Sequence, residues 1–305
     1  MKKIRTLIKY GSSNIRTIFK YKYGENYIFV DGFPHTKNFG DALGTPIVEF
    51  LSGKKVLPSK NISRFLFHSF KFLNYAVVGS ILQWVKKDSI VWGAGFISKQ
   101  DKIRSIPSLV CAVRGPLTRE VYLINKIDCP EIYGDPALFL PLMYSPNLAK
   151  IYKYGIIPHY EDYKHPWIQY MKKRTDVLII DLMVFTDYKK VVNEMLSCEN
   201  IMSSSLHGLI VSDAYQIPNA RIKLSDKVMG NDFKFLDYFE SVKRQSTSVL
   251  FPKVSDSPAD YKFDKVEITI DLKKTIEVCP FITKGKKKEL VRKLQTEIKL
   301  AHLNG

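Results

Sequence analysis

Short apolar runs, several of them closed by glycine, recur along the chain. Examples are YIFVDGF at 27–33, YAVVGSIL at 75–82 and SIVWGAGFI at 89–97. A strand of a parallel sheet is buried on both faces, so it is expected to be apolar throughout rather than alternating. Glycine and a loop at the strand end are typical of the ligand edge of such a sheet. These runs therefore predict strands of a parallel α/β sheet.

Helical patterns separate the apolar runs. The segment ALGTPIVEFL at 42–51 predicts a helix that ends at Gly53, and Pro116 suits the first turn of another helix. A second strand–helix series starts with KYGII near residue 153 and continues through WIQYMKK, DVLIID, YKKVVNEML and NIMSSS. We place a boundary between the two series near 148–152.

The pattern predicts two α/β layers in tandem, with the functional site in the cleft between the carboxyl ends of their two sheets. The expected divisions are a basic segment at 1–26, a first domain at 27–150, a second at 151–250 and an extension with a basic helix at 251–305. Loops at the carboxyl ends of strands should face the cleft. These loops are 36–41, 79–80, 93–96, 114–118, 134–136, 159–162 and 203–207.

The stretch SSSLHGLIVSDAYQIP at 203–218 places three hydroxyls and His207 at a predicted strand-to-helix turn. The first N–H groups of a helix have no partner inside it, and their partial positive charge favours an anion. Serine hydroxyls can also donate to an oxyanion. The turn is thus a candidate anion site. The alternative reading is a serine cap followed by a histidine of the core.

The chain has 305 residues, a formal charge of +17 and four scattered cysteines without metal or disulfide spacing. A reducing compartment is therefore expected. No run has membrane-spanning length, and the start lacks the features of a secretory signal. Basic residues concentrate in 1–22 and 284–293. A helix-turn-helix, zinc-finger or RNA-recognition pattern is not found, so we expect an anionic membrane surface or merely solvated helix faces rather than nucleic acid.

Six motifs, found in a fixed order, carry a family resemblance. They are NFGDAL, WGAGF, VRGPLT, YGDPALFLP, GIIPHYEDY and SSSLHGLIVSDAYQIPNA. In order and spacing they resemble the polysaccharide pyruvyl transferase family, in particular bacterial members that modify capsule and exopolysaccharide. The resemblance covers about residues 27–245. It implies a GT-B-like fold of two Rossmann-like domains, phosphoenolpyruvate as donor, and a sugar carrying a pyruvate ketal as product.

The resemblance also implies roles for residues. Phosphoenolpyruvate would be held by Ser203, Ser204, Ser205, Arg114 and Arg119. Many relatives read Ser-x-Arg-Leu-His before the helix, where this chain has Ser205, so another cation must act. Lys234 and Arg244 are further candidates. For Arg114 the alternative is a helix-start residue with a surface salt bridge.

Ketal formation needs an acid and a base but no metal, redox step or cofactor. We expect His207 to transfer the proton, because imidazole titrates near neutral pH. Asp41 is expected to act as base or to orient the sugar, unless it only caps a helix. Asp135, before a proline, is expected to be a turn residue.

The acceptor sugar, which is lipid-linked in one version of the hypothesis, is expected to meet Asn38, His159, Tyr160 and Asp162. Trp92 and Tyr160 are either sugar-stacking or core residues, and His35 and His165 are expected to be ordinary loop residues. A cytoplasmic enzyme, attached or not to the inner face of the plasma membrane, fits this role. The alternatives are a GT-B glycosyltransferase with a nucleotide-sugar donor and a non-catalytic polysaccharide-binding relative.

Overall fold

The computed structural model describes most of the chain. The described residues are 26–32, 38–59, 72–183, 187–228, 230, 232–244, 246–268 and 270–303. The predicted basic segment lies outside them except for Asn26, and so does His35. Among the described residues, no helix combines the length and the apolar character that crossing a membrane requires.

The first sheet has five strands, all parallel, in the order β2-β1-β3-β4-β5. In chain order they are β1 (Tyr27–Asp31), β2 (Lys55–Pro58), β3 (Asn74–Ala76), β4 (Ser89–Trp92) and β5 (Leu109–Ala112). All four residues of β4 are buried, as its continuous apolar run predicts.

The second sheet has four parallel strands in the order β7-β6-β8-β9. They are β6 (Tyr152–Ile157), β7 (Val177–Ile179), β8 (Cys198–Ser203) and β9 (Asn219–Arg221). The predicted parallel α/β architecture is thereby confirmed. Its division into two GT-B-like domains at the boundaries given above stays a prediction.

The helices connect and cover these strands. In chain order they are α1 (Phe39–Ala42), α2 (Gly44–Ser52), α3 (Pro116–Ile124), α4 (Leu140–Met143), α5 (Pro166–Met171), α6 (Tyr188–Leu196), α7 (Leu206–Ala214), α8 (Phe233–Ser241), α9 (Leu272–Glu277) and α10 (Lys284–Leu303). Short 3₁₀ turns cover 82–84, 136–139, 160–162 and 258–260. A continuous cluster of buried apolar side chains includes members of both sheets, such as Val30 of β1 and Ile201 of β8.

Each sheet reverses its direction of growth next to the strand that begins it. In the first sheet β2 and β3 flank β1, and in the second β7 and β8 flank β6. A reversal leaves a crevice beyond the carboxyl ends of the two diverging strands, which is where open α/β sheets bind ligands. The loops after β1, β6 and β8 lie at these points, and they carry Asn38, His159 and the serine turn.

The C-terminal part of the chain packs back onto the first sheet. The indole N–H of Trp92 donates to the carbonyl of Thr275 at 2.8 Å, and the ring of Phe281 meets Trp92 edge-on at 5.3 Å. The ammonium of Lys293 donates to the carbonyl of Leu142. Trp92 is fully buried in this contact, so it is a core residue and does not stack on a sugar.

A buried ion pair joins the end of β5 to α8. Nε of Arg114 donates to Asp237 at 2.9 Å, and both side chains are fully buried. The same carboxylate accepts from the backbone N–H and the hydroxyl of Thr118, at 2.8 and 2.7 Å. Arg114 also donates to the hydroxyl of Ser80 and the carbonyl of Phe96, both at 2.7 Å. Every charge in this cluster is compensated, as burial requires.

Replacing Asp237 by Ala should destabilise the protein by about 3–5 kcal/mol, because Arg114 would be left buried without its counter-charge. The free energy of unfolding in urea measures the effect. Glu120→Ala is the matched control, since Glu120 pairs with Lys99 at an exposed position and its loss should cost less than about 1 kcal/mol. Equal losses for the two variants would contradict the assigned role of the buried pair.

Candidate active site

His207 lies in the first turn of α7, and its imidazole is pressed against the backbone of α1. A Cβ atom added to Gly40 would lie 2.1 Å from Nδ1 of His207, so only glycine fits opposite the ring. The Gly40 N–H is in turn held by Oδ1 of Asn38, which caps α1. The motif NFGDAL of the first sheet and the histidine of the second therefore meet at this contact.

Asp135 faces the other nitrogen of the imidazole. Its Oδ2 lies 3.8 Å from Nε2 of His207, and neither atom has a hydrogen-bond partner among the described residues. The other oxygen, Oδ1, accepts from the Ala137 N–H at 2.9 Å, which is the turn role that the sequence predicts. The structure adds a second role, because the free oxygen points at the histidine.

Burial keeps the imidazole neutral. Desolvation, with the charges of Arg114 and Lys234 adding to its effect, lowers the pKa of His207 to about 3. Desolvation raises the pKa of Asp135 to about 6, against the effects of its bond from Ala137 and the charge of Arg114. Of these two facing groups, the carboxyl of Asp135 therefore has the pKa nearer to neutral, whereas the sequence-based argument assigned that property to His207.

Lys234 of α8 supplies a positive charge that acts on several of these side chains. It is half-buried, and desolvation lowers its pKa to about 8, with the charge of Arg114 adding to the effect. Its own charge lowers the pKa values of His207 and His159, and it opposes the rise that burial imposes on Asp41. Lys234, one of the further candidate cations, is therefore close enough to these side chains to shift their pKa values.

Asp41 lies inside α1 and does not cap a helix. The N-cap of α1 is Asn38, and the N-cap of α2 is Leu43, which makes no side-chain cap bond. The alternative that Asp41 acts only as a helix cap is therefore wrong. Its raised pKa, caused mainly by burial, makes the carboxyl easier to protonate than an exposed aspartate. A role as acid or base stays a prediction.

The three serines have different surroundings. The Ser203 hydroxyl accepts from the Ser205 N–H at 3.0 Å and closes the turn. The Ser204 hydroxyl accepts from the His159 N–H at 2.7 Å and donates to Asp162 at 3.3 Å. Ser205 occupies the cap position of α7 without making a side-chain cap bond. Ser203 and Ser204 therefore build the turn, while Ser205 has a hydroxyl to offer.

Ser205 lines a recess, here called the Asn38 recess. Its lining residues are Asn38, Pro158, His159, Tyr160, Asp181, Leu182, Met183 and Ser205. Three of the four predicted acceptor-binding residues meet in it. The rings of His159 and Tyr160 lie 4.2 Å apart, and Tyr160 is 44% exposed. Burial lowers the pKa of His159 to about 4, with the charge of Lys234 adding to the effect.

The fourth predicted acceptor residue, Asp162, is buried at 2% exposure. Its carboxylate accepts from the hydroxyls of Ser204 and Ser225, so it holds the serine turn from behind instead of lining the Asn38 recess. Direct contact between Asp162 and a sugar is not supported by this placement.

The predicted arginines are placed less favourably for an anion. Arg114 is fully buried and bonded to Asp237, Ser80 and Phe96, so direct contact with a ligand would require the chain to open. Because the ion pair of Arg114 with Asp237 is buried, the alternative of a surface salt bridge is wrong. Arg119 donates to the carbonyl of Cys129 and lines a separate hollow.

Arg244 is likewise committed within the fold. It donates to the side chain and the carbonyl of Asn219, at 2.8 and 3.1 Å.

A sequence model of the polysaccharide pyruvyl transferase family matches residues 6–225. The chain belongs to this family. The two motifs that meet at the Gly40–His207 contact both lie within the matched residues.

Two curated relatives extend the comparison. The chain is 32% identical over 171 residues to the uncharacterized protein L143 of Acanthamoeba polyphaga mimivirus, covering 54% of this chain and 58% of the relative. It is 29% identical over 134 residues to the succinoglycan biosynthesis protein ExoV of Rhizobium meliloti (strain 1021), covering 43% and 40%. The matches thus span less than two thirds of either relative.

A solved structure of a functionally uncharacterized protein from Klebsiella pneumoniae subsp. pneumoniae NTUH-K2044 is also similar. It superposes with a TM-score of 0.44 at 12% identity, covering 77% of this chain and 96% of the other.

Two features of the site in this pyruvyl transferase family member are not predicted from the sequence. Arg221 ends β9 beside the serine turn, with Ser203 as its register partner in β8. The available signal was a cation at the carboxyl end of a predicted strand, hidden within the segment NARIKL. The free oxygen of Asp135 was missed because capping an ordinary turn already explained that residue.

Gly40→Ala should lower the free energy of unfolding by about 1–3 kcal/mol, because the new methyl group would overlap the His207 ring. Gly44→Ala is the matched control in the next helix, where the nearest atoms would be 3.9 Å away, and it should stay within about 0.5 kcal/mol of the wild type. Urea denaturation gives both values. If both variants match the wild type, the packing of the imidazole on α1 is refuted.

Proposed function

We propose that the protein transfers the pyruvyl group of phosphoenolpyruvate to two hydroxyls of one sugar in a polysaccharide unit, forming a ketal. The observation that carries the proposal is the buried, neutral His207 facing the free oxygen of Asp135, with the charge of Lys234 beside it. It occurs at the switch points of two parallel sheets in a chain of the polysaccharide pyruvyl transferase family. The relative named for succinoglycan biosynthesis supports a bacterial glycan as acceptor.

The donor carries a carboxylate and a phosphate, so it needs donors and cations that are not already neutralised. Lys234 is half-buried among ionisable side chains, and α7 directs its first N–H groups towards the serine turn. Desolvation strengthens the attraction of such groups for an anion. We assign the donor to this region, with Ser205 as a hydroxyl donor.

His207 is the proton-transfer group in this proposal. The negative charge of bound phosphoenolpyruvate opposes the effect of Lys234 and Arg114, and so it raises the pKa of the imidazole. The ring then takes up a proton, and Asp135 stabilises the imidazolium across the 3.8 Å gap. Asp135 is a positioning residue, because it acts through the histidine.

The reaction starts with transfer of a proton from the imidazolium to C3 of the enol, which leaves positive charge on C2. A sugar hydroxyl attacks C2 and gives its proton to the neutral imidazole. The C2–O bond to phosphate breaks, the second sugar hydroxyl closes the ketal, and inorganic phosphate leaves with the remaining proton. Asp41 is a carboxylate suited to orient the attacking hydroxyl.

In this proposal the acceptor sugar binds at the Asn38 recess. Tyr160 and His159 form an aromatic wall there, and Asn38 and Ser205 add polar groups. Sugar rings bind through an apolar face and a rim of hydroxyls, so an aromatic wall with a few polar atoms suits them. A lipid-linked repeat unit in the cytoplasm remains the proposed form of the acceptor.

His207→Asn should reduce pyruvyl transfer about 100- to 10,000-fold without loss of the fold, because it removes the proton-transfer group. The assay incubates the protein with phosphoenolpyruvate and a panel of lipid-linked galactosides. Mass spectrometry detects the pyruvyl increment, and released phosphate is measured in parallel. His165→Asn is the control, since His165 caps α5 through Nδ1 and asparagine is a good helix cap.

Full turnover by folded His207→Asn would contradict the catalytic role. Release of a nucleoside diphosphate from a nucleotide sugar, with no reaction of phosphoenolpyruvate, would replace the proposal by glycosyl transfer.

A further inference from the structure

Among the described residues, Arg221 is a buried arginine whose guanidinium makes only part of its possible hydrogen bonds. It is 4% exposed, its Nη2 pairs with Asp232, and its Cζ lies 3.9 Å from the centre of the Phe235 ring. Its Nε and Nη1 are buried and have no hydrogen-bond partner among the described residues. By contrast, Arg114 and Arg244 each make three hydrogen bonds within the fold.

Unpaired donors on a buried charge are costly, because the lost hydration is not replaced. A fold keeps such an arrangement where a ligand or ordered water completes it. The two free donors of Arg221 therefore mark a place where an acceptor group belongs.

The surrounding walls define the chemistry of that acceptor. Arg221 lines a recess, here called the Arg221 recess. Its lining residues are Ser204, Arg221, Ile222, Lys223, Ser225, Asp226, Val228, Asp232 and Phe235. Two cations and two hydroxyls are thus gathered on its wall. The nearby Lys234 is close enough for the charge of Arg221 to lower its pKa.

Two carboxylates also line this recess, but both reach solvent. Asp226 is 94% exposed and pairs with Lys223 at 2.6 Å, and Asp232, the partner of Arg221, is 48% exposed. The Lys223–Asp226 pair is exposed, and exposed pairs are weak and readily exchanged for a stronger acceptor. The pair with Asp232 uses only Nη2 of the Arg221 guanidinium. The two unpaired guanidinium nitrogens and the ammonium group together match a phosphoryl group, whose oxygens accept several charged hydrogen bonds.

We propose that the Arg221 recess binds a phosphoryl group and that Arg221 is its principal guanidinium ligand. The recess lies beside the candidate active site. Arg221 pairs in register with Ser203, and Ser204 belongs both to the serine turn and to the lining of the recess. The identification of this group as the phosphate of the enol donor rests on the proposed function. A diphosphate of the sugar acceptor is the other source with the same chemistry.

The test is isothermal titration of the full chain with inorganic phosphate, phosphoenolpyruvate and pyrophosphate. Arg221→Gln should weaken binding of inorganic phosphate about tenfold or more, since it removes charge-assisted hydrogen bonds. Arg221→Lys keeps the charge and should recover part of the affinity. Arg104→Gln, at an exposed arginine, is the control and should bind like the wild type.

The ligand arms distinguish the sources. A loss for phosphoenolpyruvate as large as that for phosphate assigns the recess to the donor, whereas a larger loss for pyrophosphate assigns it to the acceptor. Circular dichroism checks the fold of each variant. Lys223→Gln keeps the arginine and gives a second reading if Arg221→Gln does not fold, with an expected severalfold loss of phosphate affinity because it removes the second cation of the recess.

The proposal is overturned if the wild type binds none of the three ligands, or if the folded Arg221 and Lys223 variants bind phosphate as the wild type does. This outcome is separable from the fate of the proposed function. Phosphate binding that depends on Arg221 without any pyruvyl transfer would refute only the enzymatic role. Pyruvyl transfer with phosphate affinity that is insensitive to both substitutions would refute only the recess.

Discussion

The imidazole of His207 is enclosed by segments from distant parts of the chain. Gly40 of α1 packs on Nδ1, Asp135 faces Nε2, and the serine turn sets the position of the residue in α7. Because the ring touches all three, the sheets must keep their relative placement for the contact to exist. The protonation state of the ring, its access to a ligand and its orientation all depend on this packing.

The cations around the ring differ in how fully they are neutralised by partners within the fold. Arg114 is neutralised by Asp237 and acts on the site only through its field, which lowers the pKa of His207. Arg221 is less fully compensated, because two of its guanidinium nitrogens have no hydrogen-bond partner among the described residues, and the charge of Lys234 also lowers the pKa of His207. Burial thus produces a neutral imidazole beside cations, and a polyanionic ligand would reverse the preference of the ring for its neutral form. Such coupling between ligand charge and proton uptake suits an enol phosphate as donor.

Much of the local structure could be predicted from the sequence. Continuous apolar runs such as SIVW indicate buried parallel strands, and Gly53 and Pro116 mark the expected ends of helices. The strand order could not be predicted, since the period of side chains along a strand says nothing about its neighbours. Asn38 and His159 were found because each lies in a segment that follows a strand, and His207 because it lies in the first turn of the helix that follows β8.

The misplaced residues share a cause, which is long-range pairing. Arg114 reads as a helix-start cation, and only the partner 123 residues further along the chain shows that it is buried. Asp162 reads as an exposed loop carboxylate, yet it accepts from Ser204 and Ser225, which follow β8 and β9. Arg221 is the converse case, because an arginine within a short strand gives no sign of its unpaired donors.

A histidine titration by NMR tests the enclosure of the ring most directly. The resonance of His207 is identified by its absence in the Asn variant and followed with pH in the ligand-free protein. A neutral imidazole from pH 8 down to about pH 5 is expected, since burial lowers the pKa of His207 to about 3. A midpoint near the ordinary value of about 6.5 would mean that water reaches the ring, and the arrangement around Gly40 and Asp135 would be wrong.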